Sequence, residues 1–360
     1  MRAQVLIAAL AAGWLLLSVG AARGEPWEVR APMLEARQEV AVAELDGRMY
    51  VVGGFRASPP GTQLPVEPVA TVEVYDPATD TWEFVAPLPT PLHHTAAVGV
   101  DGRLYVMGGW PDFFATVIDT VFVYDPSEDE WDTRAPMPTA RAGLAVAELD
   151  GILYAAGGMP PERESDFAAY DPVADEWTPL PAMPTPRNHL GLVALADRIF
   201  AVAGRSGTFF PIPGTGALEA YDPALGAWEA EPRTPMPTSR SGVAAAAFEG
   251  RLLVFGGEGG SPDPSGVFQT VEAYDPDRDT WRSLPPMPTG RHGMGAAVLA
   301  DGVHVPGGGP VEGFGLTDVH EVFVPEPGAA PAALAVAATL AILARLGPGA
   351  PRGRAPRSRA

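Results

Sequence analysis

Short apolar runs separated by turn signals occupy most of the chain. In one such stretch, small and apolar residues alternate from Ala142 to Leu149, Asp150-Gly151 follows, and Ile152 to Ala156 runs back to Gly157-Gly158. Asp-Gly between two apolar runs favours a two-residue β-hairpin. A variable loop, a third run that ends in Tyr-Asp-Pro, a short turn and a fourth run opened by tryptophan complete the unit. The pattern therefore predicts an all-β protein built from units of four short strands.

The unit returns along the chain at a spacing of about fifty residues, which is typical of a propeller blade. A single four-stranded sheet cannot bury both of its faces without neighbours, so repeats of this kind stack side by side. The motif that marks each unit begins at tyrosine and ends at tryptophan, in Tyr75 to Trp82, Tyr124 to Trp131, Tyr170 to Trp177, Tyr221 to Trp228 and Tyr274 to Trp281.

Each unit also has a glycine pair, or a close variant, at the end of its second predicted strand. Glycine permits a close backbone approach or a positive φ that a side chain would forbid. Together with the tryptophans and the Met-Pro-Thr-x-Arg segments, these pairs make residues 27–323 resemble kelch repeats, and the resemblance implies a kelch-type β-propeller. The pairs are Gly53-Gly54, Gly108-Gly109, Gly157-Gly158, Ala203-Gly204, Gly256-Gly257 and Gly307-Gly308.

The two ends of the repeat region complement each other. The region opens with a lone tryptophan strand, Trp27 to Arg30, whereas the last unit ends at Val319 to Phe323 with no tryptophan strand after it. We expect the opening strand to complete the last blade, because closure of the ring removes open sheet edges. The prediction is a six-bladed propeller over residues 25–323.

Residues 1–24 have the order of an export signal. Arg2 precedes an apolar run from Ala3 to Val19, and small residues follow as far as Gly24. This order predicts a signal peptide helix that is cleaved after Gly24, and hence an exported body. The alternative, a buried N-terminal helix, fits less well because Pro26 follows at once.

Residues 324–360 combine three features in order. The motif Val324, Pro325, Glu326 and Pro327 precedes an apolar stretch from Ala329 to Ala344 and an arginine-rich tail. This ending resembles the PEP-CTERM sorting signal of Gram-negative bacteria. The resemblance implies an exosortase-type membrane protease as a partner, transient anchoring in the inner membrane by a C-terminal transmembrane helix, and delivery to the cell surface or the extracellular matrix. The alternative is a plain C-terminal membrane anchor.

The charge of the body excludes one class of partner. All 24 basic residues are arginine, and between Glu25 and Gly328 there are 17 of them against 44 carboxylates. Such an acidic body repels nucleic acid and anionic membrane surfaces. Nucleic acid is therefore not a predicted partner, and we expect membrane contact only through the C-terminal helix. The chain has no cysteine, so it forms no disulfide.

Arginine opens the predicted first strand in five of the six units. First strands line the central channel of a propeller, so these guanidinium groups could form a ligand-binding ring suited to carboxylate or phosphate. The resemblance supports this role, because kelch domains that bind acidic peptides use arginines at this repeat position. The alternative is that they bond to backbone carbonyls and carboxylates within each blade. The five are Arg37, Arg141, Arg187, Arg240 and Arg291, with Leu92 at this position in the second unit.

Aromatic residues on two variable loops are further ligand-binding candidates. Trp110, Phe113 and Phe114 belong to the second unit, and Phe209 and Phe210 to the fourth. Aromatic rings can stack on sugars or anchor a partner's side chains. Alternatively, these rings fold back over the top of their blade.

Four histidines follow the arginine position at two different offsets. His94 and His189 share one offset, and His93 and His292 share the other. Because side chains alternate between the two faces of a strand, all four should not converge, and we predict no metal site. No other cofactor is predicted, since the lack of cysteine excludes the crosslinked tyrosine of galactose oxidase relatives.

Two functions remain open at this point. We favour a non-enzymatic binding module with a glycan or protein ligand on the variable-loop face. The alternative is an enzyme, since Gly256-Gly257-Glu258-Gly259 resembles the segment that holds the catalytic glutamate of exported sialic acid mutarotases, which are six-bladed kelch proteins. Glu258 would then act as the acid–base group. The arginine expected several residues later is absent from Ser261 to Gln269.

Overall fold

The computed structural model describes residues 26–207 and 213–324. These residues form six four-stranded antiparallel sheets and one two-stranded hairpin, and the first strands of neighbouring sheets contact each other all the way round a ring. The structure therefore confirms the prediction of an all-β, six-bladed propeller. We number the blades one to six in the chain order of their first strands.

The strand bounds follow the predicted repeat. From the axis outwards, blade 1 has Ala41–Leu45, Arg48–Val52, Val72–Asp76 and Thr81–Val85; blade 2 has Ala96–Val100, Arg103–Met107, Val121–Asp125 and Glu130–Arg134; blade 3 has Ala145–Leu149, Ile152–Ala156, Phe167–Asp171 and Glu176–Pro179. Blade 4 has Gly191–Leu195, Arg198–Val202, Leu218–Asp222 and Ala227–Trp228; blade 5 has Ala244–Phe248, Arg251–Phe255, Val271–Asp275 and Thr280–Leu284; blade 6 has Ala297–Leu299, Gly302–Pro306, His320–Phe323 and Trp27–Val29.

The variable loops between second and third strands add little regular structure. In blade 1 they form the hairpin Phe55–Ala57 with Val66–Pro68, and in blade 3 the 3₁₀ turn Pro161–Arg163. The apolar core lies between the blades, because each hydrophobic cluster combines side chains of two neighbouring blades.

The ring closes as predicted, through the N-terminal strand. Trp27–Val29 pairs antiparallel with His320–Phe323, with Trp27 opposite Phe323. The Val324 amide then donates to the Pro26 carbonyl at 2.9 Å. Sheet hydrogen bonds therefore join the two ends of the described chain within blade 6.

The tyrosine–tryptophan motif ties each blade to the one before it. In blades 1, 2, 3 and 5 the buried tyrosine hydroxyl donates to the aspartate five residues later, at 2.6–2.8 Å. The same aspartate accepts a backbone N–H from the segment that follows the preceding blade's outer strand. The tryptophan indole donates to a carbonyl of that same segment, at 2.8–3.1 Å in all six blades. We call this pair of bonds the inter-blade tie.

Blade 4 has only half of this tie. Gly226 occupies the position of the aspartate, and the indole of Trp228 bonds to the carbonyl of Pro181, which has no N–H to donate. The missing aspartate and the missing N–H go together, because a carboxylate at position 226 would find no backbone donor at Pro181. The outer strand of this blade is the two-residue Ala227–Trp228.

Several predictions fall on residues outside the described ranges. These are the signal peptide, most of the sorting motif, the apolar stretch from Ala329 to Ala344, and the two loop aromatics Phe209 and Phe210. Across residues 26–207 and 213–324, no helix has the length and apolar character needed to span a bilayer.

Candidate functional site

Six short segments, one per blade, meet at the axis of the propeller. In each, the residue two positions after the arginine position has a φ between 51° and 62°. From blade to blade, its N–H donates to the carbonyl of its counterpart at 2.8–3.2 Å, and Val40 N–H closes the circle on Gly293 at 3.3 Å. We call these six residues the axial ring. They are Glu39, His94, Gly143, His189, Gly242 and Gly293.

Half of the axial ring is glycine, and the other half carries side chains capable of chemistry. A left-handed backbone costs a non-glycine residue about 1–2 kcal/mol. Glu39, His94 and His189 nevertheless adopt φ values of 53°, 52° and 51°. Their carboxylate and imidazole atoms come within 4.8 Å of one another. Non-glycine residues in such conformations concentrate at functional sites, and these three point to one.

The histidines converge, so the prediction from strand alternation was wrong. The ring centroids of His94 and His189 are 5.0 Å apart, and His93 Nδ1 lies 2.5 Å from His94 Nδ1. His292 Nε2 lies 3.6 Å from a carboxylate oxygen of Glu39. Alternation applies to an extended strand, whereas the positive φ of His94 and His189 turns the chain and brings both offsets to the same side.

A charged cluster stands beside the axial ring. Arg205 donates to a carboxylate oxygen of Glu258 at 2.5 Å and to the Ser241 hydroxyl at 3.1 Å. The other Glu258 oxygen lies 3.3 Å from His292 Nε2, which links this cluster to Glu39. Glu258 itself is fully buried; Arg205 bonds to one of its carboxylate oxygens, and the other has no hydrogen-bond partner within the described residues.

Burial sets the protonation states at the axis. It raises the pKa of Glu39 from an ordinary 4.5 to about 7, although the nearby His292 acts in the opposite direction. It lowers the pKa of His94 and of His189 well below the ordinary 6.5. Both histidines are therefore neutral near pH 7, and Glu39 changes charge in the physiological range.

We expect Glu39→Gln to stabilise the protein relative to wild type by an amount that grows from pH 5 to pH 8, up to about 3 kcal/mol. The folded protein retains a proton on Glu39 up to about pH 7, whereas the unfolded chain releases it near 4.5. Wild type therefore loses stability as pH rises through this window, and glutamine does not titrate. Urea unfolding in EDTA at several pH values measures the difference. Because both proteins keep the histidines, a difference that is flat with pH would contradict the assignment.

A cavity of about 460 Å³ opens above the axial ring on the variable-loop face. One wall is apolar, with Phe55, Trp110, Phe114 and Phe314 among its side chains. The floor and the opposite wall are polar, and comprise Gln38, Glu39, His94, His189, Arg205 and His292. A second groove, of about 490 Å³, lies beside the third and outer strands of blade 1 around Phe84, away from the axis.

The five predicted arginines do not line this cavity. All are fully buried inside their blades and donate to backbone carbonyls, as Arg37 does to Gly53 at 2.7 Å. Four of them also pair with a glutamate at the second position of the third strand, in Arg37–Glu73, Arg187–Glu219, Arg240–Glu272 and Arg291–Glu321 at 2.5–2.8 Å. The geometry thus corrects the ligand-ring prediction and supports the structural alternative.

The loop aromatics of blade 2 divide between the two predicted roles. Trp110 is buried and stacks on His93, with centroids 5.5 Å apart. Phe113 packs on Phe314 at 5.7 Å, behind the lining. Phe114 is 43% exposed at the cavity mouth, where a ligand could reach it.

Sequence reasoning predicted Trp110 but missed the lining residues Phe55, Arg205 and Glu39, although a signal for each of them was present. Phe55, Trp110 and Arg205 all follow the glycine pair of their unit, and each forms a β-bridge to the residue after the arginine position. Position by position, this column reads Phe55, Trp110, Met159, Arg205, Glu258 and Gly309. Comparing this column would have revealed a rim with three apolar side chains followed by two charged ones. Glu39 could have been found by the same comparison, because three other units have glycine at its position in the axial ring.

Comparisons with known proteins agree on one type of repeat. A family model described as the KLHDC2/KLHL20/DRC7 Kelch-repeats domain matches residues 17–204, and one described as the Kelch motif matches residues 239–288. The chain is also similar to a solved structure described as that of YjhT, with a TM-score of 0.67 and 16% identity over 81% of this chain and 96% of that one. At this identity the likeness concerns the fold alone.

Curated relatives are larger proteins. Kelch-like protein terF of Aspergillus terreus is 32% identical over 301 residues, which cover 83% of this chain and 55% of that protein. An F-box/kelch-repeat protein of Arabidopsis thaliana is 39% identical over 87 residues, 24% of this chain and 21% of that protein. The chain thus spans about half of the first relative's length and a fifth of the second's.

Proposed function

Since the chain belongs to the kelch-repeat family, whose propellers carry their sites on loops, we propose that it is a binding protein for a small ring-shaped ligand such as a sugar. The observation that carries this proposal is the division of the central cavity. Phe114 and Phe314 offer exposed ring surface on one side, beside the buried Phe55 and Trp110, and polar side chains stand opposite. A sugar has this same division between an apolar face and hydroxyl edges. A volume of about 460 Å³ suits one or two sugar rings better than a flat protein surface.

We propose that this binding occurs outside the cytoplasm. The support comes from the sequence patterns of residues 1–24 and 324–360, which also favour processing by an exosortase-type protease. Mass spectrometry of the protein isolated from a Gram-negative host with an exosortase tests it. An N-terminus at Glu25 and loss of the tail after the Pro-Glu-Pro motif are expected, and an intact chain in the cytoplasm would contradict the proposal.

Phe114→Ala should weaken sugar binding about tenfold, because a stacked aromatic ring contributes about 1–1.5 kcal/mol. A glycan array identifies the best-bound sugar, and titration calorimetry with that sugar measures the loss. Phe84→Ala is the matched control, since Phe84 is also exposed, at 59%, but lies on the outer strand of blade 1. An equal loss in both variants, or no glycan binding by wild type, would contradict the proposal.

A second candidate function, acid–base catalysis of the sialic acid mutarotase type, is supported by the pair Arg205 and Glu258. Arg205 of blade 4, which pairs with Glu258 and lines the cavity, could take the role of the arginine not found in the segment after Glu258. Arg205 could hold a sugar carboxylate while Glu258 transfers a proton. NMR of sialic acid anomers tests this: faster interconversion with wild type but not with Glu258→Gln would support it. Equal rates with and without protein would exclude it.

A further inference from the structure

We propose that Glu39, His94 and His189 form a binding site for a divalent transition-metal ion on the propeller axis. Two imidazoles and one carboxylate are a ligand set that suits Zn²⁺ and neighbouring first-row ions. The ligand atoms of the three residues lie within 4.8 Å of one another, and His94 Nε2 is 3.3 Å from a carboxylate oxygen of Glu39. Two ligands at about 2.1 Å from one tetrahedral ion would be about 3.4 Å apart.

The hydrogen bonds of His189 leave one nitrogen ready for a ligand. Asn188 Nδ2 donates to Glu164 at 2.7 Å and to the Gly207 carbonyl at 3.2 Å, which fixes the orientation of the amide. Asn188 Oδ1 must then accept from His189 Nδ1, at 2.5 Å. Nε2 of His189 is therefore the nitrogen with the lone pair. This atom is buried and has no hydrogen-bond partner within the described residues.

A second chain of hydrogen bonds assigns the same tautomer to His94. His93 Nε2 donates to the Asp112 carbonyl at 2.7 Å, so the Nδ1 of neutral His93 is an acceptor. His94 Nδ1, 2.5 Å away, is then the donor, and the lone pair of His94 Nε2 faces Glu39. Phe55 and Trp110 stack on the two sides of His93 and hold it in place. Hydrogen bonds that orient the far nitrogen of an imidazole are typical of metal ligands.

Lone pairs and a carboxylate that meet at one point repel one another unless a cation or a proton lies between them. A proton on Glu39 would satisfy His94 Nε2, but it would leave His189 Nε2 without a partner. One metal ion satisfies all three groups, and three protein ligands would leave its remaining coordination position directed to the cavity. The choice of side chains over glycine at these three positions of the axial ring is explained in the same way.

Zinc titration of the full-length protein, stripped with chelator, tests this inference. Isothermal titration calorimetry with ZnCl₂ should show one equivalent bound. Glu39→Gly, His94→Gly and His189→Gly should each weaken binding at least about a hundredfold. Glycine is the residue that three blades already have at this position, so the backbone of these variants should keep its conformation, and circular dichroism checks that each variant is folded. Asn188→Ala keeps all three ligands but removes the bond that orients His189, together with the bonds to Glu164 and Gly207, and should cost about 10–100-fold.

Cobalt gives an independent readout, because tetrahedral Co²⁺ absorbs in the visible range and octahedral aqueous Co²⁺ hardly does. The matched control is His304→Asn, since His304 and His320 form another buried histidine pair, 2.8 Å apart, in blade 6. This variant should keep the zinc stoichiometry and the cobalt spectrum of wild type. Wild-type binding no tighter than that of folded His189→Gly, judged by circular dichroism, would overturn the metal site and would leave the sugar-binding proposal standing.

Discussion

Glu272→Ala should destabilise the protein by about 3–5 kcal/mol, because it removes the counter-charge of a fully buried arginine. Arg240 bonds to Glu272 at 2.5 Å and to the carbonyls of Gly256 and Val254 at 2.7 and 3.2 Å. The carbonyls would remain in the variant, but no negative charge would face the guanidinium. Urea unfolding followed by circular dichroism measures the loss.

Blade 2 supplies the control for this prediction. At the two equivalent positions it has Leu92 and Phe122, which are buried in one apolar cluster. The double variant Arg240→Leu, Glu272→Phe should therefore recover much of the stability, since replacing a whole buried ion pair with apolar side chains is often neutral.

Blade 3 shows how the prediction could be contradicted. Arg141 faces Ala168 instead of glutamate, and burial lowers its pKa to about 10. Two of its guanidinium nitrogens have no hydrogen-bond partner in the described part of the chain. A loss below about 1 kcal/mol for Glu272→Ala would mean that backbone carbonyls alone hold the charge in blade 5 as well.

Trp27→Ala should cost about 3–5 kcal/mol and make unfolding less cooperative. The indole packs edge-on against Phe255 of blade 5 and Phe323 of blade 6, at 5.9 and 5.4 Å, and bonds to the Pro285 carbonyl. It therefore anchors the strand that closes the ring, and its loss should release the edge of His320–Phe323. Thermal unfolding and native-state hydrogen exchange of this edge measure the effect.

Val29→Ala is the matched control, because Val29 lies on the same strand and is 74% exposed. It should change stability by no more than about 0.5 kcal/mol. If Trp27→Ala is equally mild, the N-terminal strand does not hold the ring closed.

Much of the fold could be predicted from the sequence because its determinants repeat. The tyrosine, aspartate and tryptophan recur with the same bonds in blade after blade, so one blade predicts the rest. The last unit lacked one strand and the chain began with one spare strand at Trp27, so the sequence predicted that these two pair. Aspartate-glycine turns and glycine pairs marked strand ends for the same reason.

The site was harder to predict because its chemistry lies in the exceptions to the repeat. Glu39, His94 and His189 occupy a position where the backbone favours glycine, and only the positive φ brings them together. The arginines were misleading for the opposite reason: they repeat in five blades, but they are buried inside those blades and do not line the cavity. Their pairing with glutamates such as Glu73, 36 residues away in the sequence, becomes visible only when third strands are aligned with first strands.

The missing half of the inter-blade tie in blade 4 has a mechanical consequence. Gly226 and Pro181 leave the contact between blades 3 and 4 with a single indole bond at the rim, where the contacts with complete ties have a carboxylate as well. On heating, the ring should therefore open between blades 3 and 4 before it opens at any contact that has the complete inter-blade tie. Arg205, which contributes to the cavity wall, belongs to the same blade. Local opening between blades 3 and 4 would therefore move the polar side of the cavity. The aromatic side, which belongs mainly to blades 1 and 2, would move less.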